Sequence, residues 1–281
     1  MKHRVLHLLS QRPSLTGSGV TLDALVRNAE KSGWDQCVVV GVPEGDNHPA
    51  VGNLPSDKIH PLIFGNKKLP FPVPGMSDVM PYKSTVFSKM TGQQVKIYID
   101  EWKDHLCRVI SSFQPDVIHM HHTWLMSSIV KDVAPNIPVL NQCHATGIRQ
   151  MEFCPQLADR VKKGCSRNER FQVLFEEHSG KLSEALGINS DRIHIVPSGY
   201  RGDIFYSTDN NNRNPKAILY SGKYSSAKGL PWLLDAFEKI KEKIPGLQLH
   251  IAGSGAGAEA ESLKRRMTAM KPNVKLHGFL G

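Results

Sequence analysis

The chain has 281 residues, 40% hydrophobic and 22% charged, a composition that gives a globular protein enough apolar surface for two domains. No apolar run approaches the roughly eighteen residues of a membrane span, and the start of the chain lacks a signal-peptide pattern, so we expect a cytoplasmic protein. The net charge of +9 predicts an anionic partner, but the scattered lysines and arginines lack interleaved aromatic residues, which argues against nucleic acid.

The five cysteines bear on the environment of the protein. Their odd number, their wide spacing and the lack of a C-x-x-C pair indicate reduced thiols instead of a disulfide framework. Zinc is disfavoured as well, because Cys143-His144 has no second ligand pair at the usual spacing.

Strand and helix patterns alternate through the first part of the chain. A strand over 5–10, a helix over 20–32 and a strand over 36–40 form a strand–helix–strand unit, which predicts a parallel sheet. A Pro-rich segment follows over 41–92, with one short strand near 58–64. The remaining predicted elements of this part are a helix over 95–113, a strand over 117–119, a helix over 127–133, a strand over 138–142, a helix over 166–171, a strand over 172–175, a helix over 181–186 closed by Gly187, and a strand over 193–196.

A polar stretch over 207–215, STDNNNRNP, has the composition of a linker and predicts a domain boundary. A new alternation follows: strand 217–221, helix 231–243, strand 247–252, helix 258–270 and strand 274–276. Three strands and two helices make about half of a doubly wound domain. We therefore predict an α/β protein with two Rossmann-like, doubly wound parallel-sheet domains, 1–206 and 207–281, the second of them incomplete.

The segment SGKYSSAKG, residues 221–229, connects a predicted strand to a predicted helix and contains Lys223 and Lys228. Such a loop directs backbone N–H groups and the positive end of a helix dipole at one point, which favours an anion. Two lysines there suit a diphosphate. The alternative is that both lysines are only solvated, as loop lysines commonly are.

Two glycine-rich turns also follow predicted strands. One contains Gly253 and Gly255, and the other, after the first strand, contains Gly17 and Gly19. A turn without side chains lets a ligand approach the backbone closely. The spacing is not a full dinucleotide fingerprint, so a purely structural turn remains an alternative for each.

A group of histidines lies near the middle of the chain. His119 and His121 point to the same side of a strand, and His144 follows the next strand, which makes a metal site conceivable if the three converge. No carboxylate falls at ligand spacing, so we expect no metal and favour imidazoles that hydrogen-bond a substrate.

These segments, taken together and in order, resemble the GT-B glycosyltransferases of family 4. The resemblance rests on PDVIHMH (115–121), QCHA (142–145), VPSGY (196–200) with Asp203 and Phe205, SGKYSSAKGLPWLLDAF (221–237), LHIAGSGAGAE (249–259) and VKLHGFLG (274–281). Each motif is loose alone, but their order covers nearly the whole chain.

The resemblance implies a retaining transferase that needs no metal or cofactor. It would move a hexosyl group from a UDP-, GDP- or ADP-sugar, bound mainly by the second domain, to a glycan or lipid-linked acceptor on the first. The implied roles are diphosphate neutralisation by Lys223 and Lys228, donor contacts by Gly17, Gly19, Gly253 and Gly255, a hydrogen bond from His144 to the transferred sugar, and a border to the nucleotide base at Phe279 and Leu280. His121, Ser198 and Gly199 complete the expected binding residues.

The chain departs from the family pattern in two places. It has Ser198-Gly199-Tyr200-Arg201 where the family usually has asparagine-glycine-valine-aspartate. The family's downstream glutamate pair, which holds the donor's sugar and ribose, is absent because the sequence ends first. We therefore expect a truncated chain with little or no transfer activity of its own.

The segment 66–90 combines lysines with apolar side chains and allows two interpretations. As a mobile lid it would cover the acceptor site, and as a membrane contact it would place the protein at an anionic inner-membrane face; the lid is favoured. Alternatives for the whole chain are a non-catalytic nucleotide-sugar-binding module, a GT-B-type sugar epimerase and a phosphorylase. An epimerase needs a carboxylate acid/base set and a phosphorylase a cofactor lysine, and neither motif is evident.

Overall fold

A computed structural model describes residues 3–78, 80–206 and 214–280. The chain forms two compact units, Met1–Phe205 and Tyr206–Gly281. The linker predicted over 207–215 lies largely outside the described residues. The division into an acceptor domain and a donor domain remains a prediction.

The first unit alternates strands and helices along the chain. Its elements are β1 (Arg4–Leu9), α1 (Gly17–Lys31), β2 (Asp35–Pro43), β3 (Ile59–Phe64), β4 (Pro74–Gly75), β5 (Thr85–Val86), α2 (Gly92–Phe113), β6 (Val117–His121), α3 (Val130–Val133), β7 (Val139–Gln142), α4 (Thr146–Phe153), α5 (Pro155–Cys165), β8 (Arg170–Val173), α6 (Glu176–Leu186) and β9 (Ile193–Ile195).

Seven of these strands form one parallel sheet in the order β3-β2-β1-β6-β7-β8-β9. The strand order turns back between β1 and β6, so the loops that follow these two strands diverge and leave a crevice at their carboxyl ends. Alternate side chains of the strands enter separate cores. Leu6 and Val39 belong to the core that contains α2, whereas Leu9 and Val38 belong to the core that contains α1. The sheet is thus covered on both faces.

The second unit contains β10 (Ala217–Ser221), α7 (Leu230–Ile240), β11 (Gln248–Ala252), α8 (Ala258–Ala269) and β12 (Val274–Gly278). The three strands are parallel and in chain order. Both helices pack on one face, where Leu234, Leu249 and Met267 share a core. The other face carries the exposed Leu219 and, with His250 and His277, borders an open cavity of about 350 Å³.

The predicted α/β class with parallel sheets is confirmed. Gly187 ends α6 in the left-handed conformation as expected, with φ of +65°. No helix among the described residues is both long enough and apolar enough to cross a bilayer. The five cysteines are all free thiols, and only Cys107 is exposed.

The helix predicted over 166–171 is wrong. The helix α5 ends at Cys165. The guanidinium of Arg192 then donates hydrogen bonds to the carbonyls of Ser166 and Asn168, which fixes a turn. The helix lies earlier, where Pro155 starts α5 and Leu157 and Val161 are buried.

The interpretation of 66–90 as a mobile lid or membrane contact is wrong for its main apolar side chains. Leu69, Phe71, Met76 and Phe87 are buried in the core that contains α2, and the ring of Phe87 stacks edge-on against Trp124. Val79 lies outside the described residues. Lys67 and Lys68 are exposed, as expected of solvated lysines.

Candidate active site

The lysine loop, residues 221–229, lies at the carboxyl end of β10 and leads into α7. A single tight turn over Ser226–Lys228 is followed by Gly229, whose φ of +73° lets the chain enter the helix, and Pro231 occupies its first turn. Lys223 and Lys228 are both exposed. No ion pair within the part of the chain that the structure describes involves either ammonium group.

The glycine turn over 253–257 packs directly against the lysine loop. The amide of Gly222 donates to Ala252 O at 3.0 Å, and the amide of Tyr224 donates to Ser254 O at 3.1 Å. A Cβ at Gly253 would lie 1.9 Å from Gly222 O, and one at Gly255 would lie 3.0 Å from Tyr224 Cβ. Both glycines are therefore needed for this close packing, which is a structural role that needs no ligand.

Glu259, in the first turn of α8, links that helix to the lysine loop. One carboxylate oxygen accepts hydrogen bonds from the amide of Ser226 at 2.9 Å and from its hydroxyl at 2.5 Å. These bonds hold the pKa of Glu259 below its usual value. The lysine loop thus already binds one carboxylate through its backbone, which is the behaviour expected of an anion-binding loop.

Phe279 and Leu280 follow β12 and are both largely exposed. The residue before them, Gly278, contacts the glycine turn in space, because the amide of Gly253 donates to its carbonyl at 2.7 Å. Three predicted segments of the second unit therefore meet at one edge of its sheet.

In the first unit, Gly17 and Gly19 lie at the start of α1, beside the crevice between β1 and β6. Thr16 caps the helix by accepting a hydrogen bond from the amide of Gly19 at 3.1 Å. A Cβ at Gly19 would lie 2.2 Å from Pro13 O, so this glycine is required by packing. Gly17 is exposed with open space around its Cα, and it alone of the two leaves room for a ligand.

His144 lies after β7, among strained residues. The Nε2 of His144 is 3.2 Å from Nδ1 of His121, and the two rings stack with centroids 5.5 Å apart. His122 and Ala145 have positive φ values of +70° and +57°, which non-glycine residues rarely adopt. Such strain concentrates at functional sites.

Burial governs the protonation of these imidazoles. Desolvation lowers the pKa of His144 to about 4 and that of His121 well below the usual value, the latter with further depression by neighbouring imidazoles. Both rings are neutral near pH 7, so each offers one N–H donor and one lone pair. A neutral ring at the sheet edge can hydrogen-bond a hydroxyl group of a sugar.

The structure adds His7 to this group. His7 on β1 is the register partner of His119 on β6, and their Nδ1 atoms are 3.2 Å apart. Ligand atoms of His7, His119 and His121 all lie within 4.8 Å of one another. The grouping that the sequence made conceivable, His119 and His121 with His144, is thus not the one that the ligand-atom distances single out, because His7 takes the place of His144. The sequence held a signal, since a doubly wound sheet places its first strand beside the one that begins the second half.

Ser198 and Gly199 follow β9 and are both exposed. A Cβ added at Gly199 would have no atom of the described residues within 4 Å beyond its chain neighbours. The contacts of the described residues do not join them to the histidine group. Their expected role stays a prediction.

Comparison with known proteins relates the second unit to a glycosyltransferase family. Residues 215–281 match the family model described as Glycosyl transferases group 1. The second unit is similar to the group 1 glycosyltransferases. This segment contains the lysine loop, the glycine turn and Glu259, so the loops that meet at the sheet edge belong to the matched domain.

Two curated relatives extend the similarity into the first unit. The mannosylfructose-phosphate synthase of Agrobacterium fabrum is 27% identical over 172 residues, covering 52% of this chain and 38% of the relative. The phosphatidyl-myo-inositol mannosyltransferase of Mycobacterium tuberculosis (strain CDC 1551 / Oshkosh) is 26% identical over 206 residues, covering 69% and 50%. This chain thus spans half or less of the length of these relatives.

A solved structure shows the same fold across both units. The sucrose-phosphate synthase of Thermosynechococcus elongatus superposes with a TM-score of 0.69 at 12% identity, covering 99% of this chain and 71% of the other. At that identity the likeness concerns the fold alone. The likeness supports the predicted fold class, an α/β chain with parallel sheets.

Proposed function

We propose that this chain is part of a retaining hexosyltransferase of the family 4 type, which takes a sugar from a UDP-, GDP- or ADP-sugar without a metal and transfers it to a glycan or lipid-linked acceptor. The observation that carries the proposal is the lysine loop packed on the glycine turn at the carboxyl ends of β10 and β11, within the segment that matches the group 1 glycosyltransferases. Relatives that are named as mannosyl transferases support the reaction class.

The lysine loop suits a leaving diphosphate because of where its charges and donors lie. Lys223 and Lys228 are exposed cations, and the backbone of Ser226 already holds the carboxylate of Glu259. As the bond between sugar and diphosphate breaks, negative charge builds on the diphosphate. Preorganised ammonium groups stabilise that charge in the transition state more than in the ground state.

His144 is assigned to the transferred sugar. Its ring is neutral near pH 7 and partly exposed, and His121 fixes its orientation through the 3.2 Å contact. A neutral, oriented imidazole accepts or donates one hydrogen bond to a hydroxyl group without adding charge beside an oxocarbenium-like centre. Gly17 and the exposed Phe279 and Leu280 are proposed to contact the donor.

The test begins with binding of UDP, GDP and ADP to the chain by isothermal titration calorimetry. We expect one of the three to bind, and Lys228→Ala to weaken that binding about tenfold, since a hydrogen bond to a charged group contributes on the order of 1.5 kcal/mol or more. The matched control is Lys239→Ala, which removes the same charge at the opposite end of α7. Failure of all three nucleotides to bind, or equal effects of the two substitutions, would contradict the proposal.

Turnover is tested by hydrolysis of a panel of nucleotide sugars, with anomeric configuration of the product as a second readout. If the chain hydrolyses a nucleotide sugar, Lys228→Ala is expected to lower kcat about a hundredfold, because one positive charge that stabilises the transition state is lost. Nucleotide binding without hydrolysis would indicate a binding module, and interconversion of the sugar without transfer would indicate an epimerase.

A further inference from the structure

Three buried histidines interrupt an apolar layer of the first unit. His7 lies on β1 and His119 and His121 lie on β6, on the sheet face that also carries Leu9 and Val38 of the core containing α1. All three side chains are at most 8% exposed. Their ligand atoms lie within 4.8 Å of one another. Buried imidazoles at this density are costly unless their nitrogens find partners.

Gln36 fixes the tautomer of His7. The side-chain amide of Gln36 donates to Val26 O at 2.9 Å, which leaves its oxygen to accept from Nε2–H of His7 at 3.2 Å. The neutral ring of His7 therefore presents the lone pair of Nδ1 to Nδ1 of His119. A histidine that ligates a metal typically donates its other N–H to an oxygen in this way.

The spacing of the two Nδ1 atoms fits a metal ion. Two nitrogens bound at about 2.0–2.1 Å in a tetrahedral arrangement lie about 3.3 Å apart. The Nδ1 atoms of His7 and His119 are 3.2 Å apart. Little rearrangement is needed to place an ion between them.

Hydrogen bonds within the described residues do not reach every ring nitrogen of the three histidines. Nε2 of His119 and Nε2 of His121 are both buried without a hydrogen-bond partner among the described residues. When His119 carries its proton on Nε2, its Nδ1 lone pair faces the Nδ1 lone pair of His7 at 3.2 Å. When His121 donates through Nδ1–H to Nε2 of His144, the lone pair of its own Nε2 has no partner in the described part of the chain. Lone pairs that converge in a buried space cost free energy unless a cation or a hydrogen-bond donor lies between them.

We propose that His7, His119 and His121 form a binding site for a divalent d-block cation of the zinc class, which ties β1 to β6. Three imidazoles without a carboxylate or thiolate favour Zn²⁺, Co²⁺, Ni²⁺ or Cu²⁺ over Mg²⁺ or Ca²⁺. This assignment departs from the expectation drawn from the sequence that the chain holds no metal. It does not depend on the proposed transferase activity.

The test is refolding of the full chain from denaturant with Co²⁺ or with a chelator, because the buried ligands are expected to close around the ion during folding. Bound Co²⁺ should show the intense visible absorption of tetrahedral coordination at one ion per chain, and Zn²⁺ should displace it. His250 and His277 form an exposed imidazole pair, with nitrogens 3.0 Å apart, that could also bind Co²⁺. Every protein in the test therefore carries His250→Asn, which removes this competing pair.

His7→Gln is expected to weaken Co²⁺ binding at least a hundredfold, and Gln36→Ala about tenfold, as for loss of an outer hydrogen-bond partner. The control is His105→Gln on α2, which replaces a half-buried histidine bonded to His60 O. An octahedral spectrum, or binding unchanged in His7→Gln, would overturn the proposal.

If His7→Gln fails to fold, the protein with native His7 decides the matter by NMR. Paramagnetic Co²⁺ should shift the ring signals of His7, His119 and His121 strongly and leave those of His105 in place. Ring signals of the three histidines that do not respond to Co²⁺ would contradict the site.

Discussion

At the scale of single residues, Gly253 illustrates a glycine held by two independent constraints. Its φ is +138°, and a Cβ there would lie 1.9 Å from the backbone oxygen of Gly222. Gly257, four residues on, also has a positive φ, +89°, but nothing approaches its Cβ position within 4 Å. The pair therefore separates the cost of backbone strain from the cost of overlap.

We expect Gly253→Ala to lower the free energy of unfolding of the second unit by about 3 kcal/mol or more, because strain and backbone overlap add. Gly257→Ala should lower it by less, about 1–3 kcal/mol, the cost of strain alone in a positive-φ conformation (φ +89°, ψ 174°) that is essentially restricted to glycine. Hydrogen exchange of amides in β10 and β11 measures both. Equal losses in the two variants would show that the lysine loop can move away from the glycine turn.

The ion pair of Lys131 and Glu169 gives a prediction about pH. Lys131 is buried, and its ammonium lies 2.6 Å from the carboxylate and donates to the carbonyls of Pro135 and Ile137. Burial acts to raise the pKa of Glu169, but the Lys131 ammonium and the amide of Val139 outweigh it, so the pKa lies below its usual 4.5.

Because the folded pKa of Glu169 is depressed, its contribution to stability is present above about pH 4.5 and is lost as the pH falls through the folded value. At neutral pH, Glu169→Gln should cost about 1–2 kcal/mol, less than for a fully buried pair because the carboxylate is partly exposed. The difference from the native protein should narrow below that pH in urea titrations. Asp100→Asn, which breaks the exposed pair with Lys96, should cost under about 0.5 kcal/mol.

At the scale of elements, the contact between α8 and the lysine loop tests the charge of the proposed diphosphate site. Glu259 places a negative charge on the loop through its bonds to Ser226. Glu259→Gln keeps an acceptor and removes that charge, so nucleoside diphosphates should bind about two- to fivefold more tightly at low salt. Glu261→Gln, in the same turn of α8, is the control. Weaker binding in Glu259→Gln alone would mean that the carboxylate positions the loop instead of opposing the ligand.

The elements also show what sequence patterns can and cannot predict. Strands such as β1 and β2 were predictable because they are short apolar runs bounded by polar turns. The helix α2 begins at Gly92, three residues before the expected start, because Thr91 and Gln94 form a reciprocal cap that extends the helix beyond its apolar stripe. The helices α4 and α5 were missed, although Pro155 at the start of α5 and buried Leu157, Val161 and Cys165 at helical spacing were signals.

The candidate site was predictable in its location more than in its parts. The lysine loop and glycine turn follow strands, so their meeting at one sheet edge follows from parallel order. Glu259 and His7 were not predictable, because each acts through a partner distant in the chain, Ser226 or His119, and such pairs depend on register and helix position. The apolar side chains of 66–90 gave a wrong prediction of a lid or membrane contact, because the sequence does not show that the fold buries them.

At the scale of the whole molecule, each compact unit has apolar cores made from its own residues. Leu182 on α6 and Leu234 on α7 are a matched pair, because both are fully buried leucines in helices, one in each unit. Replacing either with alanine removes the same atoms and should cost about 2–5 kcal/mol. If the units are separate cooperative units, each substitution should lower hydrogen-exchange protection mainly in its own unit.

We therefore expect Leu234→Ala to reduce protection of amides in β10 and β11 and to leave those in β6 and β7 near their native values, with the reverse for Leu182→Ala. Exchange is read by NMR or mass spectrometry under native conditions, where each amide reports the opening that exposes it. This pattern appears only if no partial unfolding of the chain, short of global unfolding, opens both cores together. A loss of protection of equal size in β7 and β11 from either substitution would show instead that the chain unfolds as one unit. A single free energy of unfolding would then apply to the whole chain.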